Sequence, residues 1–195
     1  MKSDNTQYVL PTELEIETEL KRVRYQTRYR AALRVTIQVL LIVAAASVLI
    51  ATLLFSVLQI RGTSMSPTLE NGEIVLAIQT NEFKTGELTA FYYGDRLLIK
   101  RCIAGPGQWV DIDDEGNIYV DNVLLDEPYV SEKSKGECDI KLPMQVPEDH
   151  WFLVGDHRSV SLDSRSSQIG CIAGEQILGK VVLRIWPIKA ISTLK

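Results

Sequence analysis

"VTIQVLLIVAAASVLIATLLFSVLQI", Val35 to Ile60, contains no charged residue. About 26 positions at about 1.5 Å each make a helix of about 39 Å, enough to cross a hydrocarbon layer of about 30 Å with some tilt. Its polar members, Thr36, Gln38, Ser47, Thr52, Ser56 and Gln59, are uncharged, and hydroxyls on a helix can bond back to its own carbonyls. A buried core helix is the rival reading, but core helices seldom run this long without a charge. A cleaved secretory signal has an apolar region of about 7–15 residues and a short basic lead, which this stretch exceeds on both counts. The run reads as a membrane-spanning helix that stays on the protein.

The flanks give it a direction. Lys21, Arg22, Arg24, Arg28, Arg30 and Arg34 precede the run with no acid among them, and after it Arg61 is the only base for many positions. Cationic flanks stay on the cytoplasmic side. The expected layout is a cytoplasmic segment over 1–34, a single span over 35–60, and an extracytoplasmic domain over 61–195, held at the cell membrane. Within the first segment, "TELEIETELKRVRYQTRYR" is helix-like, with Thr12 as N-cap, Glu15 completing a capping box, and acids before bases. A loosely held, lipid-facing tail fits that segment equally.

Past the span the texture becomes β. "EIVLAI", "LTAFYY", "RLLIKRCIA", "WVDI", "NIYV", "WFLVGD" and "KVVLRIWPI" are rich in β-branched and aromatic residues. Asn71-Gly72, Gly94-Asp95, Gly105-Pro106-Gly107 and Glu115-Gly116-Asn117 punctuate them as turns. The fold class is mostly β behind one N-terminal transmembrane helix. Residues 131–149 read as a polar surface loop with room for a short strand. A chain of 195 residues, 46% hydrophobic and 24% charged, supports one such globular domain beside its N-terminal third. A net charge of −4 gives no reason to expect a nucleic-acid partner.

Metal chemistry finds little purchase. "DIDDEGNIYVDN" starts like a calcium loop, yet Asn122 stands where such a loop needs glutamate, and the flanks suit a hairpin. Cys102, Cys138 and Cys171 form no C-x-x-C pair, and neither His150 nor His157 has metal-ligand spacing with them. Three cysteines in an exported domain allow at most one internal disulfide, of undetermined pairing. No metal and no organic cofactor is expected.

Three polar pieces remain: "GTSMSPTL", "LLIKRCIAGPG" and "GDHRSVSLDSR". Lys100 lies among Leu97, Leu98, Ile99 and Ile103, and an ammonium that loses hydration loses affinity for its proton. A neutral amine is a general base, and a serine hydroxyl needs one before it is a useful nucleophile. Taken singly, Lys100 is a strand lysine with its head in water and Ser64 a turn residue. In this order after one span, the three pieces resemble the signature boxes of the type I signal peptidases, membrane-bound serine proteases of family S26, over roughly Ser64 to Pro187.

That resemblance implies a Ser-Lys dyad: Ser64 as nucleophile, Lys100 as general base, and Ser161 as the hydroxyl that holds the amine. It implies supporting roles for Asp163 and Arg165, and for Gly155, Asp156 and Arg158. Met65 falls beside the nucleophile, and Ile60, Leu98 and Ile99 where the family lines its shallow substrate pockets. The implied partners are signal peptides of exported preproteins, the lipid bilayer, and Sec-type secretion machinery as a further candidate. The short length points to the compact bacterial form, with a reduced cap over about 111–145. Two departures stand out. Gly62 replaces a serine that supplies an oxyanion-hole hydroxyl in many members, leaving a backbone group at Gly62 as a candidate donor. His157 replaces an asparagine and invites a serine–histidine reading. Three other classes compete: an inactive assembly factor, a self-cleaving regulator on a Ser-Lys fold, and a structural membrane protein.

Overall fold

The computed structural model describes residues 12–80 and 82–194. Residues 1–11 of the expected cytoplasmic segment lie outside the described residues. The chain divides into two compact units, 1–51 and 52–195.

Among its described residues the first unit is helical from 13 onward. α1 spans Glu13–Leu54, with no buried residue. Glu15 Oε2 accepts from the Thr12 N–H at 2.9 Å and from its hydroxyl at 3.0 Å, so this end is capped as the sequence predicts. The basic segment is continuous with the helix that follows it. Inside the apolar run, the Thr36 and Ser47 hydroxyls return to the Ala32 and Val43 carbonyls at 3.0 and 2.8 Å. The helix is long and apolar enough to cross a membrane.

The apolar run does not remain helical to Ile60, which corrects the expected boundary. Helix ends at Leu54, and Phe55–Gln59 forms strand β1, paired antiparallel with β2 (Ile74–Ile78) from Phe55 opposite Ile78 to Gln59 opposite Ile74. Leu58 points into the core while Phe55, Val57 and Gln59 face out. Hydropathy summed over a window cannot register that change from a period of 3.6 to a period of 2. About 20 apolar residues, Val35 to Leu54, remain in the helix, and about 30 Å is still a membrane's thickness.

The second unit is built of antiparallel sheet. Its larger sheet runs β1, β2, β11 (Ile177–Trp186), β3 (Leu88–Tyr93), β4 (Arg96–Ala104), β9 (His150–Val154) and β10 (Ile172–Ala173), with β12 (Ser192–Thr193) also on β11. The smaller sheet runs β7 (Val123–Leu124), β6 (Ile118–Val120), β5 (Trp109–Ile112), β8 (Met144–Gln145). The calcium-like stretch is the β5–β6 hairpin, its turn closed by Asp113, which accepts from the Asn117 amide and side chain at 2.8 Å each. One core cluster, with Ile103, Phe152 and Val154 from the larger sheet and Val110, Ile112 and Ile118 from the smaller, joins the two sheets. The three cysteines are free. Burial pushes the Cys102 thiol up to about 12, which leaves it a small inert hydrophobe.

Candidate active site

The stretch from Gly62 to Glu73 is a loop closed at its neck. The Ile60 N–H donates to the Glu73 carbonyl at 2.8 Å, and the Gly72 N–H to the Ile60 carbonyl at 2.9 Å. Within it Met65 and Leu69 are buried, and the Leu69 N–H reaches the Met65 carbonyl at 2.9 Å. This turn presents Ser64 half-buried at the wall of a groove of about 570 Å³. Ile60, Gly62, Met65, Leu98 and Ile99 line the same groove, so the expected pocket residues do converge there.

Lys100 is 3% exposed on β4. Its amine donates to Ser161 Oγ at 2.7 Å. An ammonium only donates, so the Ser161 oxygen is the acceptor toward the lysine. Loss of water pulls the Lys100 amine down to about 8; Asp163 and Asp156 pull the other way, and Arg165 assists the fall. Among the described residues the Ser64 hydroxyl makes no hydrogen bond to Lys100; catalytic contacts of unliganded sites often tighten only around substrate.

Gly155 joins the two sides. A Cβ added there would overlap Ser161 Oγ and lie 2.6 Å from the Ser64 carbonyl oxygen. Only a residue without a side chain lets the Ser64 loop and Ser161 pack against each other. The Gly155 N–H donates to Asp163 Oδ2 at 2.9 Å. Asp163 and Arg165 form a two-pronged pair at 2.8 and 2.9 Å, and Arg165 also reaches the Ser134, Lys135 and Arg158 carbonyls. Asp156 accepts twice from Arg101, at 2.9 and 2.7 Å, and from the Thr68 hydroxyl at 2.5 Å. Arg158 is held by both oxygens of Glu127 and bonds the Gly155 carbonyl at 3.2 Å.

Sequence reasoning missed Arg101, Glu127 and Tyr129. Glu127 comes from the excursion expected to be a cap, is 6% exposed, and accepts the Tyr129 hydroxyl at 3.0 Å. The Tyr129 ring lies 3.8 Å from the Arg101 guanidinium carbon. Nothing in "LLDEPYV" distinguishes this glutamate from a solvated one. Gly62 also changes meaning. Its φ of 96° needs glycine, its Cβ position faces open space, and its N–H donates to Asn71 Oδ1 at 3.0 Å. That amide is engaged and is not a spare oxyanion donor. His157 Nδ1 lies 3.3 Å from the Thr63 carbonyl. A carbonyl only accepts, so this nitrogen is a donor and cannot serve as a base toward Ser64.

The sequence has relatives among known proteins. The sequence profile described as signal peptidase, peptidase S26, matches residues 33–186. A signal peptidase I of Bacillus licheniformis is 31% identical over 168 residues, 80% of this chain and 89% of that protein. A signal peptidase I of Bacillus amyloliquefaciens is 28% identical over 90% of this chain and all of its own length. A solved signal peptidase I of Enterococcus faecalis has a TM-score of 0.42 at 23% identity, covering 51% of this chain and 96% of that one. An antiparallel β domain with a serine at the wall of a groove and a buried amine thus has its class: a serine endopeptidase. In particular, the chain belongs to the signal peptidase family, peptidase S26.

Proposed function

We propose that this protein is a membrane-anchored signal peptidase that removes signal peptides from exported preproteins after small residues, with Ser64 as nucleophile and Lys100 as general base. The observation that carries this reading is Lys100 itself: a buried amine, drawn down to about 8 by desolvation, whose partner at 2.7 Å is a hydroxyl instead of a carboxylate. An amine held by an acceptor of that kind keeps a usable lone pair once deprotonated.

The chemistry follows in two halves. Lys100 takes the Ser64 proton as Ser64 Oγ attacks the scissile carbonyl, and the Ser64 N–H donates to the oxyanion that forms. Lys100 then returns the proton to the departing amine, leaving an acyl-enzyme. Water, deprotonated by the same amine, cleaves the ester and frees the signal peptide. Ser161 fixes the amine, and Arg165, paired with Asp163, donates to the Ser161 carbonyl. Ile60, Met65, Leu98 and Ile99 wall the groove beside Ser64, and bulky walls of this kind are what the preference for small side chains rests on in this reading. α1 is the anchor, with the basic segment cytoplasmic and the β domain on the outer face of the cell membrane; the substrate is itself an apolar segment held in the lipid bilayer, delivered by Sec-type machinery.

The test uses detergent-solubilised protein, Ser64→Ala and Lys100→Ala, each incubated with a preprotein bearing an A-x-A site. The expected result is cleavage by the wild type alone. A wild type that does not cut, or a variant that cuts at the wild-type rate, overturns the reading.

A further inference from the structure

His157 makes three contacts at the site, two of them with the nucleophile loop. Its N–H donates to the Ser64 carbonyl at 3.1 Å, its carbonyl accepts from the Ser161 N–H at 3.1 Å, and its ring Nδ1 lies 3.3 Å from the Thr63 carbonyl. One residue therefore ties both serines of the site by its main chain and the peptide between Thr63 and Ser64 by its ring.

That peptide matters for a reason of geometry. The Thr63 carbonyl and the Ser64 N–H belong to one planar trans unit and point in opposite directions, so fixing the oxygen aims the N–H. Among the described residues nothing accepts from the Ser64 N–H, while the Ser64 carbonyl is taken by His157. The residue before the pair is Gly62, at φ 96° with no atom near its Cβ position; the Thr63 carbonyl also accepts from the Ser66 N–H at 3.0 Å, within the same loop, so the His157 ring is what ties that carbonyl to the segment carrying Ser161. We propose that the His157 ring is a positioning residue for the oxyanion donor: its Nδ1–H, given to the Thr63 carbonyl, holds and polarises the Thr63–Ser64 peptide so that the Ser64 N–H faces the developing negative charge. A hydrogen bond accepted by an amide oxygen strengthens the donor at the other end of the same amide, by about 10–30% per bond in a chain. This inference rests on Ser64 being the nucleophile.

The test compares His157→Phe, which keeps a ring and removes the donor, with His157→Asn, whose side-chain amide can still donate. His157→Ala serves as a second donor-less variant in case the phenylalanine does not fold, with folding checked by circular dichroism. Kinetics are measured on an A-x-A preprotein. Binding of a peptide aldehyde, which makes a tetrahedral adduct with Ser64, is measured alongside binding of the uncleaved peptide to the same changes in a Ser64→Ala background. The donor-less variants should lose about 10- to 100-fold in kcat, below the roughly 10²–10³ seen when an oxyanion donor is removed outright. KM should stay within about twofold, as expected for an interaction made in the transition state. Aldehyde affinity should fall in step with kcat, uncleaved-peptide affinity should hold, and His157→Asn should recover most of the loss. Wild-type kcat in the donor-less variants overturns the proposal. So does an equal loss of kcat and peptide affinity that His157→Asn does not rescue, since that marks a structural role. If Ser64→Ala or Lys100→Ala cuts at the wild-type rate, the site reading itself falls; if both are dead and His157→Phe is unimpaired, only this inference does.

Discussion

Lys100 and Arg101 are adjacent on β4, and both are buried, at 3% and 1% exposure, yet their surroundings differ in kind. Arg101 meets a full set of anionic and polar partners: both oxygens of Asp156, the Gly86 carbonyl, the Thr68 hydroxyl and the face of Tyr129. Lys100 meets one hydroxyl. The two faces of one strand thus turn the same burial into opposite outcomes. On one, charge is compensated and becomes structure; on the other, it is left short of partners and the amine is driven toward its neutral form.

The sharpest way to break this contrast is to replace each cation by methionine. Lys100→Met should lose about 10⁴-fold or more in kcat/KM while being at least as stable as the wild type, since a desolvated amine is exchanged for an apolar chain. A Lys100→Met protein that cuts would sink the assignment. Arg101→Met should instead destabilise by about 3–5 kcal/mol, because Asp156 is left as a buried carboxylate without its counter-ion. Chemical denaturation reads this directly, and a change below about 1 kcal/mol would show the network to be dispensable.

Next in size is Gly155→Ala, which forces Ser161 and the Ser64 loop apart. A displacement near 1 Å at reacting groups lowers kcat/KM by about 100-fold. The variant should remain folded by circular dichroism, and wild-type activity would show that the packing across Gly155 does not set the site.

The smallest effect is also the most diagnostic. The acid limb of kcat/KM should rise tenfold per pH unit and level off near 8, the value to which burial draws Lys100. A profile flat from pH 6 to 8 would exclude a titrating lysine base. Stability carries the matching sign. Below about 8 both folded and unfolded chains hold the Lys100 proton, and the penalty for burying the ammonium is fully present; between about 8 and 10.5 only the unfolded chain holds it, so stability gained from this group rises with pH. Lys100→Met should remove that rise.

Much of the molecule is legible from the chain alone. The resemblance of the three polar pieces to a family's boxes singles out Ser64, Lys100 and Ser161 as candidates, while the apolar run announces a helix and the β-branched runs announce β2 to β6, β9 and β11. These are local properties, carried by periodicity and by residue type within a short window. The tertiary structure decided the rest. Only pairing with β2 makes Phe55–Gln59 a strand, only the approach of Ser161 and the Ser64 loop makes Gly155 obligatory, and only docking on Arg158 makes Glu127 part of the site. Desolvation and charge pairing depend on which atoms exclude water and which ions face one another. Thr68 and Asp156, bonded at 2.5 Å, are 88 positions apart in the chain, and no window of sequence contains that fact.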